Sequence, residues 1–178
     1  MAIFPPPAPL DPGIRAFLDL IAWSEGTSRS PITVNNGYDV IVSGVNGPNV
    51  FDDCSDHPFA NGRPPIVVRS LPQLLSTASG RYQLLLRFWR AYKAQLGLTD
   101  FSPTSQDAVA IQQIKERGAL AQIQVGDIQD AITACSNIWA SLPGNSYGQA
   151  GGHTMQALLD QFSAIAASNA GGAGPATA

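Results

Sequence analysis

At 178 residues the chain has the length of one domain and enough material to bury a real core. Hydrophobic residues make up 44% and charged residues 13%, with a net charge of −3, which gives no electrostatic basis for gripping nucleic acid or an anionic membrane. No segment approaches the ~20 apolar residues of a spanning helix, so no stable membrane association is expected.

Residues 1–11 are Pro-rich and read as an extended, mobile arm. The opening Met1-Ala2-Ile3-Phe4-Pro5 has neither the basic start nor the long apolar run of a secretion signal. Asp11-Pro12-Gly13 marks a helix start, with Asp as N-cap and Pro as first helical residue. Ile14, Phe17, Leu18, Ile21 and Ala22 then form one apolar stripe, and Gly26 suits the position just past the helix end. From about residue 26 to 70 the chain is dense in Gly, Pro, Asn and Asp, which predicts a small irregular β lobe. Its clearest strand is Tyr38-Asp39-Val40-Ile41-Val42; Val50-Phe51 and Ile66-Val67-Val68 are weaker ones. After Gly80 the pattern is helical. Helices are predicted over Arg81–Leu96 with Gly97 as terminator, from Ser102-Pro103 to Gly118 with Val109, Ile111 and Ile114 inward, and from an Asp127 cap through Ile128 to Cys135. A last helix is expected over Thr154–Ala167, carrying Met155, Leu158, Leu159, Phe162 and Ile165. A flexible Ala/Gly-rich tail follows over 169–178. The layout is α+β, with a mainly helical lobe and a β lobe flanking a groove suited to a polymer.

Glu25 is the residue on which chemistry can be built. It falls in the last turn of the first helix, where the negative end of the helix dipole disfavours an ionised carboxylate, and Trp23 beside it adds desolvation. A carboxyl kept protonated near neutral pH can protonate a leaving oxygen. Taken alone, such a Glu is an ordinary exposed helix-end residue; the rest of the chain changes that balance. Asp39 is the best second carboxylate, although a solvated or turn-bonding Asp in a short hairpin describes it better. His57, next to Asp56 and followed by Pro58, reads as turn-structuring. Arg81 at a helix start opposes the dipole, which suits a salt bridge, a substrate contact or a packing role equally. Trp23, Trp89 and Trp139 read as core. Cys54 and Cys135, far apart and without metal-ligand spacing, predict no disulfide framework and no metal site, though a single bridge between them stays open.

Several blocks together resemble the lambda-type phage endolysins, a lysozyme-like family of lytic transglycosylases. They are Ala16-Phe17-Leu18-Asp19 with Ala22-Trp23-Ser24-Glu25-Gly26-Thr27, Asn36-Gly37-Tyr38-Asp39-Val40-Ile41-Val42, and Ser55-Asp56-His57-Pro58. Gly80-Arg81-Tyr82-Gln83, Phe101-Ser102-Pro103 with Ser105-Gln106-Asp107-Ala108, and Ile114-Lys115-Glu116-Arg117-Gly118 follow. Cys135-Ser136-Asn137-Ile138-Trp139 and Tyr147-Gly148-Gln149 complete the set. The similarity runs from about Ile14 to Phe162. It implies a lysozyme-like single catalytic domain over 12–168 that cleaves the bond between N-acetylmuramic acid and N-acetylglucosamine in peptidoglycan without water, leaving 1,6-anhydro ends.

The resemblance puts the family's catalytic Glu on Glu25, as general acid and then base. It makes Gln83 and Tyr147 substrate-orienting residues, and it aligns Tyr82 with the Met of the family's Gly-x-Met-Gln motif. Tyr82 and Asp39 complete the candidate glycan contacts. No metal and no cofactor is implied. The partner is the glycan strand, and a monomer is expected. The family setting implies synthesis in the host bacterial cytoplasm, release through a holin lesion and action in the periplasm for host lysis. The alternatives are a hydrolytic muramidase using Asp39, and a catalytically silent glycan-binding virion protein.

Overall fold

The computed structural model describes residues 2–144 and 152–172. Among these are six α-helices and two antiparallel two-stranded hairpins, an α+β chain. They group into two compact units, Met1–Ala8 with Glu25–Ala110 and Pro9–Ser24 with Ile111–Ala178. No helix among the described residues is long and apolar enough to cross a membrane.

In the second unit, α1 (Pro12–Ser24) starts as expected. Asp11 Oδ1 accepts from the backbone N–H of Gly13 (2.9 Å) and Ile14 (3.2 Å), satisfying donors that have no partner inside the helix. Phe17, Leu18, Ile21 and Ala22 are fully buried, as their spacing predicts, and Ala16 and Leu20 are buried with them, so the covered face is wider than one stripe. Each large side chain of this kind stabilises the fold by about 1.5–3 kcal/mol. The helix packs on α4 (Ala119–Val125) and α6 (Met155–Gly172), while α5 (Ile128–Cys135) packs on both α4 and α6.

Two expectations need correction in this unit, which also holds a helix that the sequence pattern does not announce. The stretch from Ala119 to Val125 is a helix in its own right, bounded by left-handed Gly118 and Gly126. Asp127 stands at the N-cap of α5 but its side chain makes no capping bond. The tail expected from Asn169 is helical as far as Gly172. Of the apolar residues of α6 only Leu158 is fully buried; Met155, Leu159, Phe162 and Ile165 are half-buried. An open depression of about 450 Å³, lined by Gly126, Asp127, Ile128, Leu159 and Phe162 among others, lies here and contains none of the candidate site residues.

In the first unit, β1 (Val40–Gly44) pairs with β2 (Gly47–Val50), and β3 (Ile66–Ser70) with β4 (Gln73–Ser76). The strand expected from Tyr38 starts two residues later, because residues 36–39 form a turn. β4 escaped prediction because Gln73-Leu74-Leu75-Ser76 has no β-branched residue to signal it. The Pro-rich arm is extended but is not loose. Phe4 is buried with its ring 5.6 Å from that of Phe51, its N–H donates to Asn35 Oδ1 (2.7 Å), and the Ala8 N–H donates to Thr104 Oγ1 (3.1 Å). An aromatic core continues from Phe51 through Phe101 to Trp89, which is fully buried as expected.

The helix expected from Arg81 begins only at Leu86: α2 spans Leu86–Leu96 and ends on left-handed Gly97. Residues 80–83 are a turn instead, because Gly80 (φ +77°) and Gln83 (φ +50°) leave the right-handed helical region. Ser79 and Leu84 close this turn with paired backbone hydrogen bonds of 3.0 and 2.9 Å. α3 (Pro103–Glu116) starts at the proline as predicted; Val109 and Ile114 are buried and Ile111 is half-buried.

Candidate active site

Glu25 follows directly on α1, and the last turn of that helix is locked in place. Ser24 Oγ donates to the Ile21 carbonyl at 2.9 Å and lies 2.9 Å from Ser141 Oγ. Gly26 takes the expected left-handed conformation (φ +76°, ψ 0°), and a short 3-10 turn, Thr27–Arg29, follows. Glu25 itself is half-buried. Trp23, expected in the core, is only half-buried and stacks on His153 with ring centroids 4.3 Å apart; Trp139 is buried as expected.

Within the first unit, three segments meet at Thr27, two residues after Glu25. Thr27 is buried, and its hydroxyl donates to the Arg81 carbonyl at 2.6 Å. Gly37 (φ +89°) lies so close that a Cβ there would stand 2.9 Å from the Thr27 carbonyl carbon, so this approach requires glycine. The Arg81 guanidinium donates from Nη1 to the Asn36 carbonyl and sits 5.1 Å above the Tyr38 ring. Arg81 is almost wholly buried, with its guanidinium turned onto the loop at Asn36 and Tyr38.

The turn carrying Gln83 is held from below by α3. Its Arg81 N–H donates to Gln106 Oε1 (2.9 Å), and Gln106 Nε2 donates to the carbonyls of Tyr38 (3.1 Å) and Phe101 (2.9 Å). Gly80 N–H donates to the Val40 carbonyl (2.7 Å), which ties the turn to β1. Gln83 is half-buried, and its Nε2 folds back onto the Gly80 carbonyl at 3.1 Å. Its left-handed backbone costs a residue with a Cβ roughly 1–3 kcal/mol and persists only where the surroundings over-determine it.

Tyr82, expected to contact glycan, is instead buried under the turn. Its hydroxyl donates to Asp107 Oδ1 at 2.6 Å, and the Tyr38 hydroxyl donates to the same oxygen at 2.8 Å. Burial first, and then the Asp107 charge, push both phenols above their ordinary range, so both remain donors.

Asp39 is not solvated. It is 1% exposed; Oδ1 accepts from the Thr33 hydroxyl, and Oδ2 accepts from Val34 N–H (3.0 Å) and Asn35 Nδ2 (3.1 Å). The turn-bonding half of its expectation describes it. His57 is likewise a turn residue: Nε2 donates to the Leu84 carbonyl (3.0 Å), and Nδ1 accepts from Phe59 N–H (3.3 Å), which fixes the neutral tautomer. Desolvation lowers its pKa to about 4. Asp56 accepts from Trp89 Nε1 (2.6 Å) and Lys93 Nζ (2.9 Å). Cys54 and Cys135 both carry free thiols, with burial pushing Cys135 up to about 12. No group of three or more His, Cys, Asp or Glu suited to a metal occurs among the described residues. Tyr147 lies outside the described residues.

Sequence reasoning missed Thr27, Gln106 and Asp107 as members of this cluster. A signal for the last two exists: Ile114, Ala110 and Gln106 are four apart, so the buried face of α3 runs on through two polar residues. The cluster ties a turn that bears an amide side chain to Thr27, two residues after the half-buried Glu25, with Asp39 and Asp107 both accepting from internal donors.

The family model described as Endolysin matches residues 15–169. The endolysin of Escherichia phage P2 is 57% identical over 147 residues, covering 82% of this chain and 88% of that protein. The endolysin of Escherichia phage lambda is 57% identical over 149 residues, covering 83% and 87% respectively. Among solved structures, bacteriophage lambda lysozyme complexed with a chitohexasaccharide is similar with a TM-score of 0.79 and 53% identity, over 89% of this chain and 96% of that one. A second structure of lysozyme from bacteriophage lambda matches with a TM-score of 0.70 and 47% identity, over 96% and 99%. The α+β arrangement is accordingly lysozyme-like.

Proposed function

This chain belongs to the endolysin family, and from that premise we propose that it cleaves peptidoglycan glycan between N-acetylmuramic acid and N-acetylglucosamine by transglycosylation, with Glu25 as the acid and base. The observation that supports the mechanism is the fate of Asp39. Ordinary glycosidases need a second carboxyl group flanking the bond, as nucleophile or to hold water. Asp39, the best second candidate, has both oxygens occupied by Thr33, Val34 and Asn35 in a buried loop. That favours a reaction in which the sugar supplies its own nucleophile.

Glu25 donates its proton to the glycosidic oxygen as the C1–O bond breaks. The C6 hydroxyl of the muramic residue then attacks C1, and its proton returns to the Glu25 carboxylate. Atoms balance without water: the products are a new 4-hydroxyl end and a 1,6-anhydro end, and the enzyme is regenerated. Gln83 and Tyr147 orient the N-acetyl group or the carboxyl by hydrogen bonds, and exclusion of water favours internal attack. A relative solved with a chitohexasaccharide supports a glycan strand as the ligand. The reading extends to a monomer made in the host cytoplasm, released through a holin lesion and acting in the periplasm without cofactor. Its first test is Glu25→Gln, which keeps size and hydrogen bonding but removes the transferable proton. Lysis of permeabilised cells should fall by about 10²–10⁴ while the protein stays folded. Near-normal lysis by a folded variant would sink the assignment.

A further inference from the structure

The Ser105-Gln106-Asp107 block on α3 takes no part in the chemistry above, yet it is where the buried polar groups of the first unit converge. We infer that Gln106 and Asp107 are positioning residues: they fix the Gly80–Gln83 turn and thereby the place from which Gln83 meets the glycan. The inference rests on the reading of Gln83 as a glycan-orienting residue.

Gln106 is 3% exposed, and its amide makes three bonds to three separate segments: Arg81 N–H in the turn, the Tyr38 carbonyl ahead of β1 and the Phe101 carbonyl ahead of α3. Oε1 sits where a Cβ on Gly80 would be, 2.2 Å from the ideal position, so the turn and the amide are shaped to each other. Asp107, one residue on, draws in the Tyr38 and Tyr82 hydroxyls through a single oxygen. The turn is therefore gripped at Arg81 and at Tyr82, the two residues preceding Gln83. Gln83 is also the turn's one non-glycine residue with positive φ. Apolar side chains of similar volume stabilise an interior as well as or better than a buried polar cluster. What the polar cluster adds is direction, because each bond is satisfied in only one arrangement of the turn.

The test is a double-mutant cycle in the full-length protein: Gln106→Met, Gln83→Ala and both together, with kcat and KM on purified sacculi and Tm by circular dichroism. Misplacing an orienting group by about 1 Å costs roughly 10²-fold in rate. Gln106→Met should lower kcat by about 10- to 100-fold with KM within about threefold, and adding it to Gln83→Ala should cost nothing further. A merely structural role predicts losses that multiply in the double variant, and that result, or an unchanged kcat in Gln106→Met, overturns the inference. If Gln83→Ala alone leaves kcat and KM unchanged, the reading of Gln83 fails and takes the inference with it. Reduced activity in Gln83→Ala with multiplying losses instead sinks the inference and spares the reading. Should Gln106→Met not fold, Tyr82→Phe, which removes one hydroxyl, goes through the same cycle with the same expected and overturning results.

Discussion

Replacing Gly80 by alanine should damage this protein far more than replacing Gly26, although both have nearly the same backbone (φ +77° and +76°). The left-handed region costs an L side chain about 1–2 kcal/mol, and the stiffer unfolded chain returns about 0.4–1 kcal/mol. Gly26→Ala meets nothing within 4 Å, so its net cost is this difference, about 1 kcal/mol. Gly80→Ala adds a collision: its Cβ would stand 2.2 Å from Gln106 Oε1, 2.7 Å from Gln106 Cδ and 3.2 Å from Phe101 Cε1. Gln106 has to leave, stranding the buried Arg81 N–H at about 1–3 kcal/mol, and the overpacked residue adds about 1–3 kcal/mol. The total is about 3–7 kcal/mol. For a chain of 178 residues each kcal/mol moves Tm by about 2–4 °C. Thermal scans should then show a loss of about 2–4 °C for Gly26→Ala and of about 6–28 °C for Gly80→Ala. Equal losses in the two variants would refute the claim that Gln106 and the turn are fitted to each other.

Asp39→Asn replaces an acceptor oxygen with an amide group among three donors, so it should lower stability by about 1–3 kcal/mol in urea melts. The glycan products should be unchanged; loss of cleavage in the folded variant would return Asp39 to the chemistry. His57 makes stability pH-dependent. Its folded pKa, about 4, lies below the ordinary 6.5, so the unfolded chain takes up the proton first. The neutral ring's contribution is complete above about pH 6.5 and falls away as pH drops toward 4, a loss of about 3 kcal/mol. Denaturant midpoints should track that window in the wild type and flatten in His57→Gln; the same slope in both would contradict it.

Much of the fold is legible wherever local chemistry decides it. Asp11-Pro12 starts α1, Gly26, Gly97 and Gly118 follow helix ends with positive φ, and Val40-Ile41-Val42 makes a strand. Sequence reasoning failed where partners distant in the chain decide. Tyr82, Leu85, Leu86 and Trp89 have helical spacing, yet Tyr82 is buried by a carboxylate 25 residues away and Gln83 adopts a conformation that no local signal announces. The arm looks loose by composition but is held by Asn35 and by stacking of Phe4 on Phe51. At the site, Glu25 and Gln83 came from motif similarity combined with the helix-end argument. Thr27, Gln106 and Asp107 needed the fold, because each acts on a residue dozens of positions away.

The central claim is that one carboxyl group, Glu25, cleaves the glycan without water. The most direct measurement is the mass of the muropeptides released from purified sacculi by the wild-type protein. Transglycosylation predicts muramic ends lighter by one water than the reducing ends a hydrolase leaves, from the first turnover onward. It also predicts that Glu25→Gln releases neither kind. Predominantly hydrated ends from the wild-type protein would contradict the account and require a second group, beyond Glu25, to activate water.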